Sequence, residues 1–198
     1  MKAKIYFEGD NMLRSGFRVF FDKYFNHSGK KIDKLIACQA TPIEDFLDGI
    51  RDDSDTNSYH ILLIDADVLP DNDYRKSVRE TTEWKKHCET EIDDNQLHFM
   101  VQLMEAWFIA DKDALKAYFG EDFKTVKLPK QQNVEEIPAK DVIRKLNEAS
   151  RNTKRRTYSR DKAMHGSRIL TLLDPHKVIE AAPHCKALFE TLKSQTKG

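Results

Sequence analysis

Three features of the sequence predict an α/β fold, a parallel sheet flanked by helices with a helical C-terminal part. Short apolar runs at residues 3–7, 32–40 and 59–64 alternate with amphipathic stretches at 11–25 and 41–51. Strands separated by helices return parallel to one another through right-handed crossovers. Acidic residues stand at the carboxyl ends of two of the runs, on the rim where open parallel sheets bind ligands.

The first run, AKIYF at 3–7, is apolar and bounded by Glu8-Gly9, as a buried strand requires. Residues 11–25 read as a helix, with Met12, Phe17, Phe20, Phe21 and Tyr24 near helical spacing and Arg14, Arg18 and Asp22 between them. A loop at 26–30 contains Gly29, and IDKLIACQA at 32–40 is the second strand. Thr41-Pro42 opens a helix to Arg51, with Thr as the cap, Pro at the first helical position and Glu44 three residues after Thr41. After a polar loop at 52–58, YHILLI at 59–64 is the strongest strand signal and ends at Asp65.

Residues 74–86 are predicted to be helical and 88–95 to form an acidic connection. LHFMVQLMEAWFIA at 97–110 divides into a short strand to Val101 and a buried helix. A short helix is expected at 111–119, a loop with two prolines at 123–138, and helices at 141–150, 161–173 and 183–194.

A chain of 198 residues fits one domain, here a core over about 1–110 with a helical extension over about 111–198. With 33% charged and 10% aromatic residues it has the composition of a globular protein, not a disordered one. Formal net charge is zero, so the total does not announce a nucleic-acid binder. The distribution is more informative. Residues 44–73 carry ten carboxylates and one basic residue, Arg51, whereas 151–162 carry six basic residues and one acid, Asp161. Such a basic run is either a solvated face or a contact for a phosphate backbone.

Cys38, Cys88 and Cys185 are widely spaced and include no CxxC pair, which suggests neither a disulfide framework nor a zinc site. The amino terminus enters a strand without a signal-like apolar stretch, and no apolar run approaches the ~18 residues of a membrane span. A reduced, soluble, cytoplasmic protein is expected.

Glu8 follows the first strand, and Gly9 lets the backbone turn. Asp65 ends the third strand, and Asp67 lies two residues on, on the same side of an extended chain. Three carboxylates meeting at one rim repel one another unless a cation joins them. Their hard oxygens favour Mg²⁺ or Mn²⁺ over zinc. Such an ion polarises a phosphoryl oxygen and activates water. Either feature alone is more often a turn or a helix cap; together, in this order, they point to a metal site.

Phe7-Glu8-Gly9-Asp10 and Ile64-Asp65-Ala66-Asp67 resemble the signature of the Toprim family, a Glu-Gly after the first strand and a DxD after a later one. That resemblance implies a compact, Rossmann-like parallel sheet and Mg²⁺-dependent breaking or joining of phosphodiesters. The chain is also similar to a Toprim-like family of comparable length, often encoded beside an ABC-type ATPase in prokaryotic phage-defence loci. The likeness lies in residues 13–18 (LRSGFR), 100–108 (MVQLMEAWF), Lys162 and His165-Gly166. One departure is that Val68-Leu69-Pro70 follow Asp67, where many Toprim proteins carry a glycine or another acid.

Glu105 is the only ionisable residue between Phe99 and Ala110, and an acid on so apolar a face must be paired, protonated or metal-bound. It is expected either to form a structural pair or to join the metal site as a catalytic residue. Lys162, His165 and Arg168 fall on one side of a predicted helix, with Met164, Ile169, Leu172 and Leu173 on the buried side. Together with Arg155, Arg156 and Arg160 they are candidate phosphate contacts, with Arg14 and Arg18 as further ones. Histidines 27, 60, 87, 98, 176 and 184 show no metal-ligand spacing. Tyr158 invites comparison with a topoisomerase nucleophile, but nothing in the chain resembles the extra domains such enzymes need.

The expected function is a metal-dependent nuclease acting on DNA or RNA, in which Glu8, Asp65 and Asp67 hold Mg²⁺ or Mn²⁺. A partner ATPase and a role in antiviral defence are implied by the resemblance alone. The contrasting expectation is a Toprim-shaped binding or regulatory subunit that does no chemistry. A small-molecule phosphotransferase ranks last, because no glycine-rich phosphate loop is present.

Overall fold

The computed structural model describes residues 2–26, 31–66, 73–88 and 91–195. Four strands, β1 (Lys2–Glu8), β2 (Ile32–Cys38), β3 (Ser58–Asp65) and β4 (Leu97–Met100), form an all-parallel sheet in the order β2-β1-β3-β4. The α/β fold with helices flanking a parallel sheet is therefore the one the sequence predicts.

Side chains alternate across the sheet, so each central strand feeds two cores. Ile5, Phe7, Ile61 and Leu63 point to one face, and Tyr6, Leu62 and Ile64 to the other. The first face is covered by α1 (Leu13–Phe25) and α5 (Glu105–Ala110), and by α6 (Lys112–Phe119), α7 (Ala139–Ser150), α8 (Lys162–Leu170), α9 (Pro175–Ala181) and α10 (Pro183–Gln195). The second is covered by α2 (Pro42–Arg51), α3 (Tyr74–Glu80) and α4 (Thr82–His87), through Phe46, Leu47, Val78 and Trp84.

The C-terminal helices share the sheet's own core. Phe20 of α1 stacks on Trp107 of α5 with ring centroids 5.6 Å apart and meets Phe189 of α10 at 5.7 Å. Phe17 lies 4.8 Å from Phe7 of β1 in the same cluster. Aromatic side chains of this size dominate core energetics, so removing α10 would uncover the same rings that seat α1 on the sheet.

Several boundaries differ from the sequence reading, each for a local reason. The stretch expected as one helix at 74–86 is two, α3 and α4, broken at Thr81 with ψ 154°. The Thr81 hydroxyl donates to Val78 O at 2.7 Å and accepts from Trp84 N at 3.2 Å, closing one helix and opening the next. α1 begins at Leu13 because Asp10 accepts the N–H of Met12 at 2.7 Å and holds residues 10–12 in a turn. The capping box expected at Thr41 does not form, since Thr41 makes no side-chain cap bond and its hydroxyl faces Asp45 Oδ1 at 3.5 Å. α9 was not expected at all; Asp174 caps it by accepting from His176 N at 2.9 Å, and Pro175 stands in its first turn. The loop at 123–138 holds two short 3₁₀ turns, Thr125–Lys127 and Val134–Glu136.

Two acids of the acidic run tie a loop to the sheet. Asp53 accepts from Lys4 Nζ at 2.5 Å and pairs with His60 Nε2 at 2.7 Å, and Asp55 pairs with Lys2 at 2.9 Å. The Lys4 ammonium holds the Asp53 carboxyl well below the usual carboxylate range. Among the described residues no helix is long and apolar enough to cross a membrane.

Two tests follow from the packing. α1 crosses α8 closely at Gly16, where a Cβ would lie 2.5 Å from Ser167 O. Ala ordinarily stabilises a helix interior by about 1 kcal/mol over Gly. Here Gly16→Ala is expected to destabilise by about 1–3 kcal/mol in urea titration; a more stable variant would contradict the close crossing. Burial lowers His98 from 6.5 to about 4. The unfolded chain then binds its proton more readily than the folded one. Stability is full above 6.5, falls as pH drops towards 4 and levels off below. The loss, on the order of 3 kcal/mol, should show as a falling urea midpoint that is flatter in His98→Gln.

Candidate metal and phosphate site

The strand order makes the site. From β1 the chain passes along α1 to β2 on one side, then returns through α2 to β3 on the other side of β1. The crossovers diverge at the carboxyl ends of β1 and β3, which leaves a crevice there. Glu8 and Asp65 are the last residues of those two strands. Gly9 turns the chain away with φ +139°, a conformation side chains rarely adopt.

The two acids are joined through the backbone. Asp65 N donates to Glu8 Oε2 at 3.0 Å, and Met104 N donates to Asp65 Oδ1 at 2.8 Å. Glu8 thus satisfies the end of β3, and Asp65 satisfies the segment that opens α5. The next residue, Glu105, is 7% exposed, and its Oε1 accepts from the hydroxyl of fully buried Tyr158 at 2.9 Å. These residues line one cleft of about 320 Å³ together with Gln39 and Lys162, the first residue of α8.

Electrostatics at the rim limit the chemistry available. Burial, with Glu105 close by, pushes the Tyr158 phenol well above its ordinary value, so it remains a hydrogen-bond donor. Burial likewise pushes the Cys38 thiol up to about 12, with Asp45 and Glu8 adding to the effect. Neither group is a ready nucleophile. What the cleft offers is carboxylate oxygen and one lysine ammonium, a donor set suited to a hard divalent cation and a phosphate.

Of the sequence candidates, Glu8, Asp65, Glu105 and Lys162 come together in this cleft. Asp67 lies outside the described residues. Among the described residues, no three acids, histidines or cysteines are grouped closely enough to hold an ion. Glu8 and Asp65 would therefore supply two ligands from adjacent strand ends.

The other basic candidates are placed differently. His165 was expected beside Lys162 on an open helix side; it is buried, with Nδ1 2.7 Å from the Tyr118 hydroxyl. Burial lowers its pKa. Arg155 lies 4.5 Å over the Tyr118 ring and donates through Nε to Tyr118 O at 2.6 Å. Its guanidinium is thus held by the fold. Arg168 borders a separate groove between α1 and α8 with Met12, Ser15 and Ser167. Arg14, Arg156 and Arg160 are exposed, while Arg18 bonds the carbonyl of Ile32. Leu172, assigned to the buried side, is 42% exposed because α8 has ended at Leu170.

Sequence reasoning passed over Gln39 and gave Tyr158 no part in the cleft. Gln39 follows β2 directly, on the same rim, and its amide donates to Asp10 Oδ2 at 3.2 Å. The strand-end rule that found Glu8 could have found it. Nothing local marks Tyr158 as the partner of a residue 53 positions earlier.

No curated protein and no solved structure matches the chain. One family profile matches residues 12–193, beginning just after Glu8 and covering most of the fold. By that match the chain belongs to the family described as a domain of unknown function, DUF4276.

Proposed function

We propose that this protein is a metal-dependent nuclease, with Glu8 and Asp65 as ligands for Mg²⁺ or Mn²⁺ at the ends of β1 and β3. The observation that carries the reading is that Glu8 and Asp65 end adjacent strands and line one cleft with Glu105 and Lys162, the Glu8 carboxylate accepting the Asp65 backbone N–H at 3.0 Å. A bound ion would supply Lewis acidity toward a phosphodiester oxygen. Lys162 would contact the phosphate, and exposed Arg14, Arg156 and Arg160 would meet the flanking backbone. Asp67, two residues beyond Asp65 in sequence and outside the described residues, is the further ligand proposed. Buried thiols at Cys38 and Cys185, outside any disulfide, suit a reducing cytoplasm. Delivery of substrate by a partner ATPase, as part of antiviral defence, is supported by the Toprim-like sequence resemblance.

One observation favours a second reading, a non-catalytic subunit that keeps the shape alone. Both strand-end carboxylates already accept backbone N–H groups, and the described residues contain no three-acid cluster. The substitutions that separate the readings are Glu8→Gln and Asp65→Asn, which keep an acceptor for each N–H and remove the charge.

Plasmid, single-stranded DNA and tRNA should be cut with Mg²⁺ or Mn²⁺, and Asp65→Asn should lower the rate by at least about 100-fold, since even outer partners of metal ligands are worth 10–100-fold. Cleavage unaffected by either substitution would remove this mechanism. Mn²⁺ at a hundredfold excess over its dissociation constant should add about 2.7 kcal/mol of stability, a melting shift of about 5–10 °C for a chain of this size. That shift should vanish in Glu8→Gln; no shift in the wild type favours the second reading.

A further inference from the structure

We infer that the groove between α1 and α8 docks an acidic amphipathic helix of a partner protein. The inference is independent of the metal-dependent reading and uses none of its ligands or phosphate contacts. The two helices run in the same sense: a Cβ on Gly166 would meet Leu13 at 3.1 Å, one on Gly16 would meet Leu170 at 2.9 Å, and Lys23 donates to Leu173 O at 2.9 Å. Ser15 and Ser167 face each other where the helices come closest, their hydroxyls 3.1 Å apart. These two serines line a groove of about 350 Å³, with Met12 on the α1 side and Met164, Arg168 and Thr171 on the α8 side.

Two features define the occupant. The first is apolar surface. Among the described residues four large apolar side chains are exposed, and three of them, Met12, Val19 and Leu172, lie on or beside these two helices. Val19 stands one turn beyond Ser15 and Leu172 one turn beyond Arg168, so both extend the face that lines the groove. Unbranched methionines such as Met12 and Met164 adapt to an incoming apolar surface. The second feature is charge. Arg168 is exposed and has no ion pair among the described residues, none of the described residues lining the groove is an acid, and Lys23 is occupied by the Leu173 carbonyl. Self-association would set two such faces together, each positive at Arg168 and neither with an acid to answer it. Nucleic acid is disfavoured by the exposed apolar side chains and by the lack of an aromatic residue in the lining on which bases could stack. An acidic helix satisfies both features, with apolar residues at i, i+4 and i+7 entering the groove and a carboxylate meeting Arg168. The 13 residues of α1 span about 20 Å, which sets the footprint at about four turns.

Fluorescence anisotropy of the full-length protein with two labelled helical peptides of about 14 residues tests this. Both carry Leu at i, i+4 and i+7 on an Ala and Gln background; one has Glu beside the apolar stripe, the other Lys at the same positions. The wild type should bind the Glu peptide at least about tenfold tighter than the Lys peptide, the worth of a charge-assisted contact. Arg168→Glu should reverse that order. Val19→Asn should weaken both peptides about tenfold by removing apolar contact. Arg168 and Val19 are exposed, so neither change disturbs the core. A wild type that binds neither peptide, or binds both equally, would overturn the inference. So would a concentration-dependent dimer abolished by Val19→Asn in sedimentation, which assigns the face to a second copy. Binding of a single-stranded or duplex oligonucleotide that is weakened by Arg168→Glu but untouched by Val19→Asn would overturn it in favour of a phosphate contact.

Discussion

The rim depends on a relay of acceptors in which one carboxylate satisfies the backbone of the next segment. Where β3 ends, its last N–H needs a partner, and Glu8 from the neighbouring strand provides it at 3.0 Å. Where α5 is about to begin, Met104 needs one too, and Asp65 provides it at 2.8 Å. Three segments distant in sequence are thereby held at one place: the end of β1, the end of β3 and the entry to α5. The same atoms that could receive a divalent cation are those that hold the rim together. Each carboxylate has about four lone-pair sites, so the structural bond and a metal bond can coexist on one group.

Below that rim, the sheet was legible in the sequence because its physics is local and repetitive. Apolar runs of strand length between amphipathic stretches determine a parallel α/β arrangement with little freedom. The errors arose where one side chain overrode the pattern. Thr81 satisfies groups on both sides of itself and splits a helix whose apolar spacing continues through it. Asp174 and Pro175 start a helix too short to display a period. Glycine marks what periodicity cannot express: Gly16 permits α1 and α8 to cross within 2.5 Å of where a Cβ would stand. That crossing packs the C-terminal half of α8 against α1.

The candidate site was legible to the extent that it obeys the strand-end rule. Glu8 and Asp65 sit at strand ends, and Glu105 announces itself as a lone acid in an apolar segment. Charge runs conveyed less. Arg155 and His165 belong to a basic stretch that suggests a phosphate surface, yet both are committed to Tyr118. Asp53 and Asp55, from the acidic stretch, are committed to Lys4 and Lys2. A sequence states how many charges lie along a segment. Partners come from elements far away in the chain, and they decide which charges remain available to a ligand.

The most direct measurement is a crystal structure of the protein soaked with Mn²⁺, with anomalous scattering used to locate the ion. A single anomalous peak coordinated by one carboxylate oxygen from Glu8 and one from Asp65 is the expected result. Ordered Glu8 and Asp65 side chains with no anomalous density between them at saturating Mn²⁺ would contradict a metal site at this rim.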